Sequence, residues 1–295
     1  MRFHYRRATL LSVALWAAAS QCASSAEPTW IDSRQVGPFA IQATFPLAAY
    51  DRLFHELPEL QLELSRVLGL PPARRPIYVY LFASAGEYRG YQQRHFPKVP
   101  YRPALFIWEG GSPGIYTYRK ADLDVDLRHE CTHALLHCVL PVVPLWLDEG
   151  LAKYFEVPAH QRAGNHPYFD DLKWKWSLRL GMVRTIESLE ERSDLTDMDA
   201  ADYRYSWAWV HFMLHGPESA HKTLVNYLAC YQQGAPAGKL SAHLNEAVPN
   251  PTEQMIHHFK HWDAGSQRSI ATAQLSRKPP TKVQQAPNEK TRGAE

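Results

Sequence analysis

His129 and His133 stand four positions apart in HECTH, with Glu130 directly after the first. On a helix, residues i and i+4 share a face one turn apart, so both imidazoles can point at one ion. Zn2+ takes histidine nitrogen at about 2.0–2.1 Å and suits that spacing. Glu130 is rotated by about 100° from His129. It can reach a water beside the ion without ligating the ion, which is where a general base is needed. The five letters alone are a weak signal. With 15 His in the chain, random order yields H-E-x-x-H roughly 0.04 times per sequence. The competing account is a His pair on an amphipathic helix, satisfied by hydrogen bonds. A third ligand decides between them.

A catalytic zinc needs three protein ligands and one open position. The long metzincin pattern requires Gly at 136 and His at 139, and Leu136 and Val139 exclude it. Glu149 is the first choice. PVVP (141–144) forces a sharp link, after which WLDEGLAKYFE can pack back on the HECTH helix and present its acid to the same ion. Gly150 fits this reading, because glycine inside a helix costs about 1 kcal/mol against Ala and close packing is a reason to keep it. Asp148 and His137 are the alternatives. Asp148 points about 100° away from Glu149, and His137 has turned by about 80° from His129, which suits a supporting or surface role.

Elements with these periods must hold the site. GPFAIQATFP (37–46) alternates apolar and polar residues, and RPIYVYLFAS (75–84) is rich in aromatics and Val, so both read as strands. ALFIWEGGSPGIYTYRK reads as two more strands around a Gly-rich turn. Between them, Tyr50 to Leu68 has helical spacing that Pro58 is expected to kink or split. SAGEYRGYQQRHF is a helix begun by Ser84. After Lys120 the pattern turns helical: DLDVDLRHECTHALLHCVL with Asp122 or Asp124 as N-cap, then 146–156, LKWKWSLRLGM, 202–216, and two more runs before Asp263. The expected division is a leader (1–26), an α/β part (27–121), a helical zinc-site lobe (122–263) and a disordered tail (264–295) without aromatic residues.

MRFHYRR followed by ATLLSVALWAAAS and QCASSA reads as a cleavable secretory signal, cut after Ala26, with an apolar run too short to span a bilayer. The expected location is therefore periplasmic or secreted. Losing Arg2, Arg6 and Arg7 and no acid takes the formal charge from +2 to −1. That balance offers no basic field for nucleic acid or an anionic membrane. Export permits disulfides. Cys131 and Cys138 on one helix lie about 10 Å apart and cannot bond to each other. At most one bridge to Cys230 is open, and three small buried thiols are the alternative.

HECTH, a proline-bounded link, and WLDEGLAKYFE together resemble the gluzincin clan of metallopeptidases. They are most similar to the peptidase-MA-like group (domain-of-unknown-function 1570 type), marked by H-E-x-x-H followed by W-x-x-E-G-x-A-x-Y. Here the second half is Trp146, Glu149, Gly150, Ala152 and Tyr154. The resemblance covers roughly residues 75 to 215. It implies an α+β, thermolysin-like core: a small mixed sheet over the H-E-x-x-H helix and a mainly helical C-terminal lobe. It implies a zinc-dependent peptidase with His129, His133 and Glu149 as metal ligands and Glu130 as base. It further implies an edge strand, here GIYTYRK (114–120), that binds extended peptide substrate, and a tyrosine donor to the oxyanion, Tyr203 in preference to Tyr205. Thermolysin-like enzymes place a supporting acid four residues after the Glu ligand. Lys153 stands there instead, with Asp126 and Glu156 as substitutes. The alternative function is a catalytically weak or inactive gluzincin-like domain that binds peptide or protein through Trp174, Trp176, Trp207 and Trp209.

Overall fold

The computed structural model describes residues 27–109, 111–177 and 183–262. The expected leader and tail lie outside them. Five strands, β1 (Asp32–Val36), β2 (Phe39–Ala43), β3 (Ile77–Phe82), β4 (Ala104–Glu109) and β5 (Ser112–Tyr118), form one sheet in the order β1-β2-β3-β5-β4. The outer pairs are antiparallel and the two inner pairs parallel, so the sheet is mixed. Around it run α1 (Asp51–Leu68), α2 (Ala85–His95), α3 (Leu123–His137), α4 (Leu145–Phe155), α5 (Ala159–Arg162), α6 (Pro167–Ser177), α7 (Ile186–Glu190), α8 (Ala200–His215), α9 (Glu218–Gln232), α10 (Leu240–Ala247) and α11 (Pro251–Lys260). The architecture is α+β, and no helix of the described residues is long and apolar enough to cross a membrane.

The period of two in IYVYLF explains how the sheet is covered. Ile77, Val79 and Leu81 are fully buried in the main core, with Ile41, Ile115, Leu57 and Leu60 of α1, and Leu127 and Cys131 of α3. Tyr80 and Phe82 face the other side, where Tyr88 and Tyr91 of α2 join Phe96 and Tyr116 in a second aromatic cluster. Ser84 caps α2 as expected, accepting from Glu87 N–H. The HECTH helix α3 is buried nearly all round, from Leu123 through Leu136, as a helix at the centre of a domain must be.

Three expectations are corrected. GIYTY is not the edge strand: β5 pairs with β3 on one side (Val79↔Ile115) and β4 on the other (Phe106↔Ile115), so both its ladders are used. Its residues 113–117 are buried throughout, which is the mark of a central strand. The edge on that side of the sheet is β4, where Trp108 is 41% exposed. Pro58 does not split α1. The stripe Leu53, Phe54, Leu57, Leu60, Leu64 and Leu68 is buried across it, and burying each is worth about 1.5–3 kcal/mol against about 3 kcal/mol for an interior proline. Asp122 occupies the α3 N-cap position but makes no side-chain cap; Asp124 instead takes Arg128. Strand β1 went unread because DSRQV has no apolar alternation and is held by its backbone ladder to β2. Cys131, Cys138 and Cys230 are all free thiols.

Candidate metal centre

α3 and α4 meet across the proline link. Val139 N–H and Leu140 N–H close the end of α3 on Leu136, and α4 starts directly after Pro144. That turn brings Glu149 against both histidines. His129 Nε2 and His133 Nε2 are 3.1 Å apart. Glu149 Oε2 lies 3.5 Å from the first and 3.9 Å from the second. These residues form the group of His, Cys, Asp and Glu side chains among the described residues that could hold a metal ion.

The outward side of each ring faces a carboxylate, which favours the proton on Nδ1. His129 Nδ1 donates to Glu156 Oε2 at 3.0 Å, and His133 Nδ1 lies 3.1 Å from Asp148 Oδ2. With the proton on Nδ1, both Nε2 lone pairs face inward, next to a carboxylate. Three lone-pair atoms this close repel one another unless positive charge, a proton or a metal ion, sits between them. A triangle of this size admits an ion about 2 Å from each atom, the bond length of zinc to nitrogen and oxygen. The residues fit the metal.

Electrostatics point the same way. Burial acts against charge on His129, but hydrogen bonds to Glu149 and Glu156 and the charge of Glu130 overcome it and raise its pKa to about 10. His133 is also raised: burial opposes the shift and Asp148 outweighs it. Burial alone would raise Glu149, but the two imidazoles bring it below the ordinary carboxylate range. The cage thus favours positive charge at its centre, which a divalent ion supplies. Glu130 goes the other way. Burial raises its pKa, only partly offset by His129 and His133, which suits a proton acceptor working near neutrality.

Lys153 does not remove the support. Glu156, three residues on, takes the role: its Oε2 accepts from His129 and from Lys153 Nζ at 2.9 Å. Its backbone is fixed by Arg128, whose buried guanidinium donates to Glu156 O at 2.9 Å and also meets Asp124 and Glu56. Sequence reasoning passed over Arg128; a charged residue in the middle of an apolar helix was the available signal. Asp126 pairs with Lys120 and takes no part. Asp148 is not a ligand but holds His133 on one side and His137 Nε2, at 3.0 Å, on the other. His137 in turn stacks on Phe106 of the edge strand, ring centroids 5.6 Å apart.

The rest of the α4 motif is packing. Trp146 and Ala152 are buried, and Tyr154 hydroxyl reaches His215 Nε2 of α8 at 2.7 Å. A Cβ on Gly150 would sit 2.6 Å from Ser206 O, so the close approach that the glycine allows is to α8 and not to the metal. That contact sets α8 beside the site. A capping box starts α8, with Asp199 accepting from Ala201 and Asp202 N–H and Asp202 answering Asp199 N–H. One residue further, half-buried Tyr203 falls within the field of Glu149. Burial and that charge raise its pKa and keep the phenol protonated, while Arg102 and Lys153 pull the other way. Tyr205 is 4% exposed and belongs to the core. Trp207 and Trp209 are fully buried too, so they form no binding surface; their rings pack the helical lobe. Trp174 is 58% exposed, and the side chain of Trp176 lies outside the described residues.

No protein-family model matches the sequence, and no curated protein does. Among solved structures the chain is similar to an M1 zinc metallopeptidase from Deinococcus radiodurans, at 17% identity and a TM-score of 0.42, covering 79% of this chain and 51% of that one. It is also similar to a mutant of that enzyme bound to a Tyr-Ser-Ala substrate, at 17% identity and a TM-score of 0.41, covering 78% and 50%. The chain spans about half the length of these structures.

Proposed function

We propose that the chain is an exported, zinc-dependent metallopeptidase of the gluzincin type. The observation that carries the reading is the meeting of three inward lone pairs, from His129, His133 and Glu149, beside a base on the same helix. Zinc bound there supplies Lewis acidity, polarising the scissile carbonyl and lowering the pKa of water. Glu130 takes a proton from the attacking water and delivers it to the leaving amine nitrogen as the C–N bond breaks. Tyr203 O–H donates to the carbonyl oxygen as negative charge develops on it. Glu156 and Asp148 hold the imidazoles in the tautomer that keeps Nε2 free. The free edge of β4, a strand that packs against α3, is the natural place for an extended peptide to add a strand.

The finer placement in the peptidase-MA-like group rests on the two-part motif from His129 to Tyr154, and export rests on the leader. The binding-module alternative loses its aromatic surface with the burial of Trp207 and Trp209. The test is zinc content and cleavage of a broad peptide panel, for the wild type and Glu130→Gln. Equimolar zinc in both, with cleavage by the wild type alone, is expected. A wild type without stoichiometric zinc, or one that cuts no better than the variant, overturns the reading.

A further inference from the structure

The two ligand imidazoles are backed in the same way. Glu156 Oε2 is shared between His129 Nδ1 at 3.0 Å and Lys153 Nζ at 2.9 Å. Asp148 Oδ2 is shared between His133 Nδ1 at 3.1 Å and His137 Nε2 at 3.0 Å. His137 therefore stands to His133 as Lys153 stands to His129. The sequence explains the bridge. His133 and His137 are i and i+4 on α3, one turn apart on one face, so a carboxylate delivered by α4 can lie across both. Asp148 directly precedes Glu149, and α4 thus presents consecutive acids to the two edges of one imidazole, Glu149 to Nε2 and Asp148 to Nδ1.

The two contacts of the Asp148 carboxylate are unequal. That with His137 is a hydrogen bond. That with His133 is bent: among the described residues His133 Nδ1 has no partner in hydrogen-bond geometry, and neither has Asp148 Oδ1. A bent contact orients weakly. The N–H of His137 Nε2 therefore decides where Oδ2 sits, and His133 meets it there. His137 is in turn fixed from its flat side. Its ring stacks on Phe106 of β4, with centroids 5.6 Å apart and planes at 24°, and Phe106 packs on the main core. The chain of contacts runs from the sheet to the ligand: Phe106, His137, Asp148, His133.

We infer that His137 is a positioning residue of the metal centre. It aims the Asp148 carboxylate that orients His133, and so sets the affinity of the site for zinc without touching the ion. This rests on the zinc-site reading. Outer partners of ligand imidazoles are worth about 10–100-fold in metal affinity, and the share that Asp148 supplies is lost with the hydrogen bond that aims it.

The experiment measures zinc affinity by competition with a chromophoric chelator for the wild type, His137→Gln, His137→Phe, Asp148→Asn, and the double variant His137→Phe with Asp148→Asn. Gln keeps an N–H donor near the place of Nε2. Phe keeps a flat ring against Phe106 and has no donor. His137→Phe is expected to bind zinc about 10–100-fold more weakly, and His137→Gln close to the wild type. The double variant is expected to be no weaker than Asp148→Asn alone, because His137 acts only through that carboxylate. The absorption spectrum of the Co2+-loaded protein is the second readout, shifted in His137→Phe and unchanged in His137→Gln. A His137→Phe protein that holds zinc as tightly as the wild type overturns the inference and leaves the metal centre standing. So does a double variant weaker than Asp148→Asn. A wild type that takes up no stoichiometric zinc overturns the zinc-site reading and the inference with it. His137 ends α3 with its side chain 28% exposed, so the metal-free variants are expected to melt with the wild type, which a thermal scan checks. If His137→Phe melts early, His137→Ala removes the same donor and carries the same expected loss.

Discussion

Glu130 and Glu156 are both acids within reach of His129, yet they do different work, and substitution separates them. Glu130→Gln leaves all three ligands in place. It should keep its zinc and lose about 10²–10⁴-fold in kcat, the usual worth of a positioned base, measured by peptide hydrolysis beside metal analysis. Glu156→Gln keeps the shape but weakens the acceptor that fixes His129 Nδ1. It should lower zinc affinity by about 10–100-fold, read by competition with a chromophoric chelator. Asp148→Asn should act likewise through His133. At this scale much of the site was legible. The i,i+4 histidines and the acid after the proline link follow from helix geometry alone, and the structure brings them together. What supports them was less legible, because Glu156 and Arg128 reach the site through the end of α4, where the backbone path and not the spacing decides which acid arrives.

The position of α8 rests on Gly150. Neither Cα hydrogen of this glycine can give way to a side chain, since Ser206 O and C lie 2.6 and 2.8 Å from where a Cβ would be. Gly150→Ala must push α8 from α4. The expected cost is about 1–3 kcal/mol, typical of overpacking, seen as a lower Tm. Because Tyr203 lies one turn before Ser206 on the displaced helix, kcat should fall further than zinc affinity, which separates this variant from Glu156→Gln. At the scale of elements, long periodic segments such as the HECTH helix and β3 were legible. Segments whose neighbours decide their role were not. GIYTY looked like an edge because it precedes the active helix, but hairpin return inserts it between β3 and β4. For Trp207 and Trp209 a core role is the favoured reading over a binding surface, and it holds: Trp207 packs on His166, Tyr168 and Phe259, and Trp209 donates to Arg184 O.

Across the whole molecule, the helical lobe depends on histidines kept neutral. His211 donates from Nε2 to Ala163 O and accepts at Nδ1 from His258 Nε2, at 3.0 and 3.1 Å. His166 donates to Lys153 O at 2.9 Å. Burial lowers the pKa of His166 and His215 to about 4 and of His258 to about 3, with neighbouring imidazoles adding to the shift for His215 and His258. In the unfolded chain each titrates near 6.5. Between these values the unfolded state binds more protons, so stability is full above about pH 6.5 and declines as pH falls toward 4. Chemical denaturation at pH 7.5 and pH 5 should show a fall of a few kcal/mol, and replacing His258 by Gln should reduce the difference. His211, His215 and His258 contact none of the three candidate ligands, so their share of the loss should persist in protein stripped of metal.

The most direct test of the central claim is hydrolysis of one peptide panel by zinc-loaded wild type and zinc-loaded Glu130→Gln, side by side. Cleavage by the wild type, abolished in a variant that carries the same amount of zinc, is the predicted result. Equal rates in the two proteins, or no cleavage by a wild type with its metal in place, would contradict it.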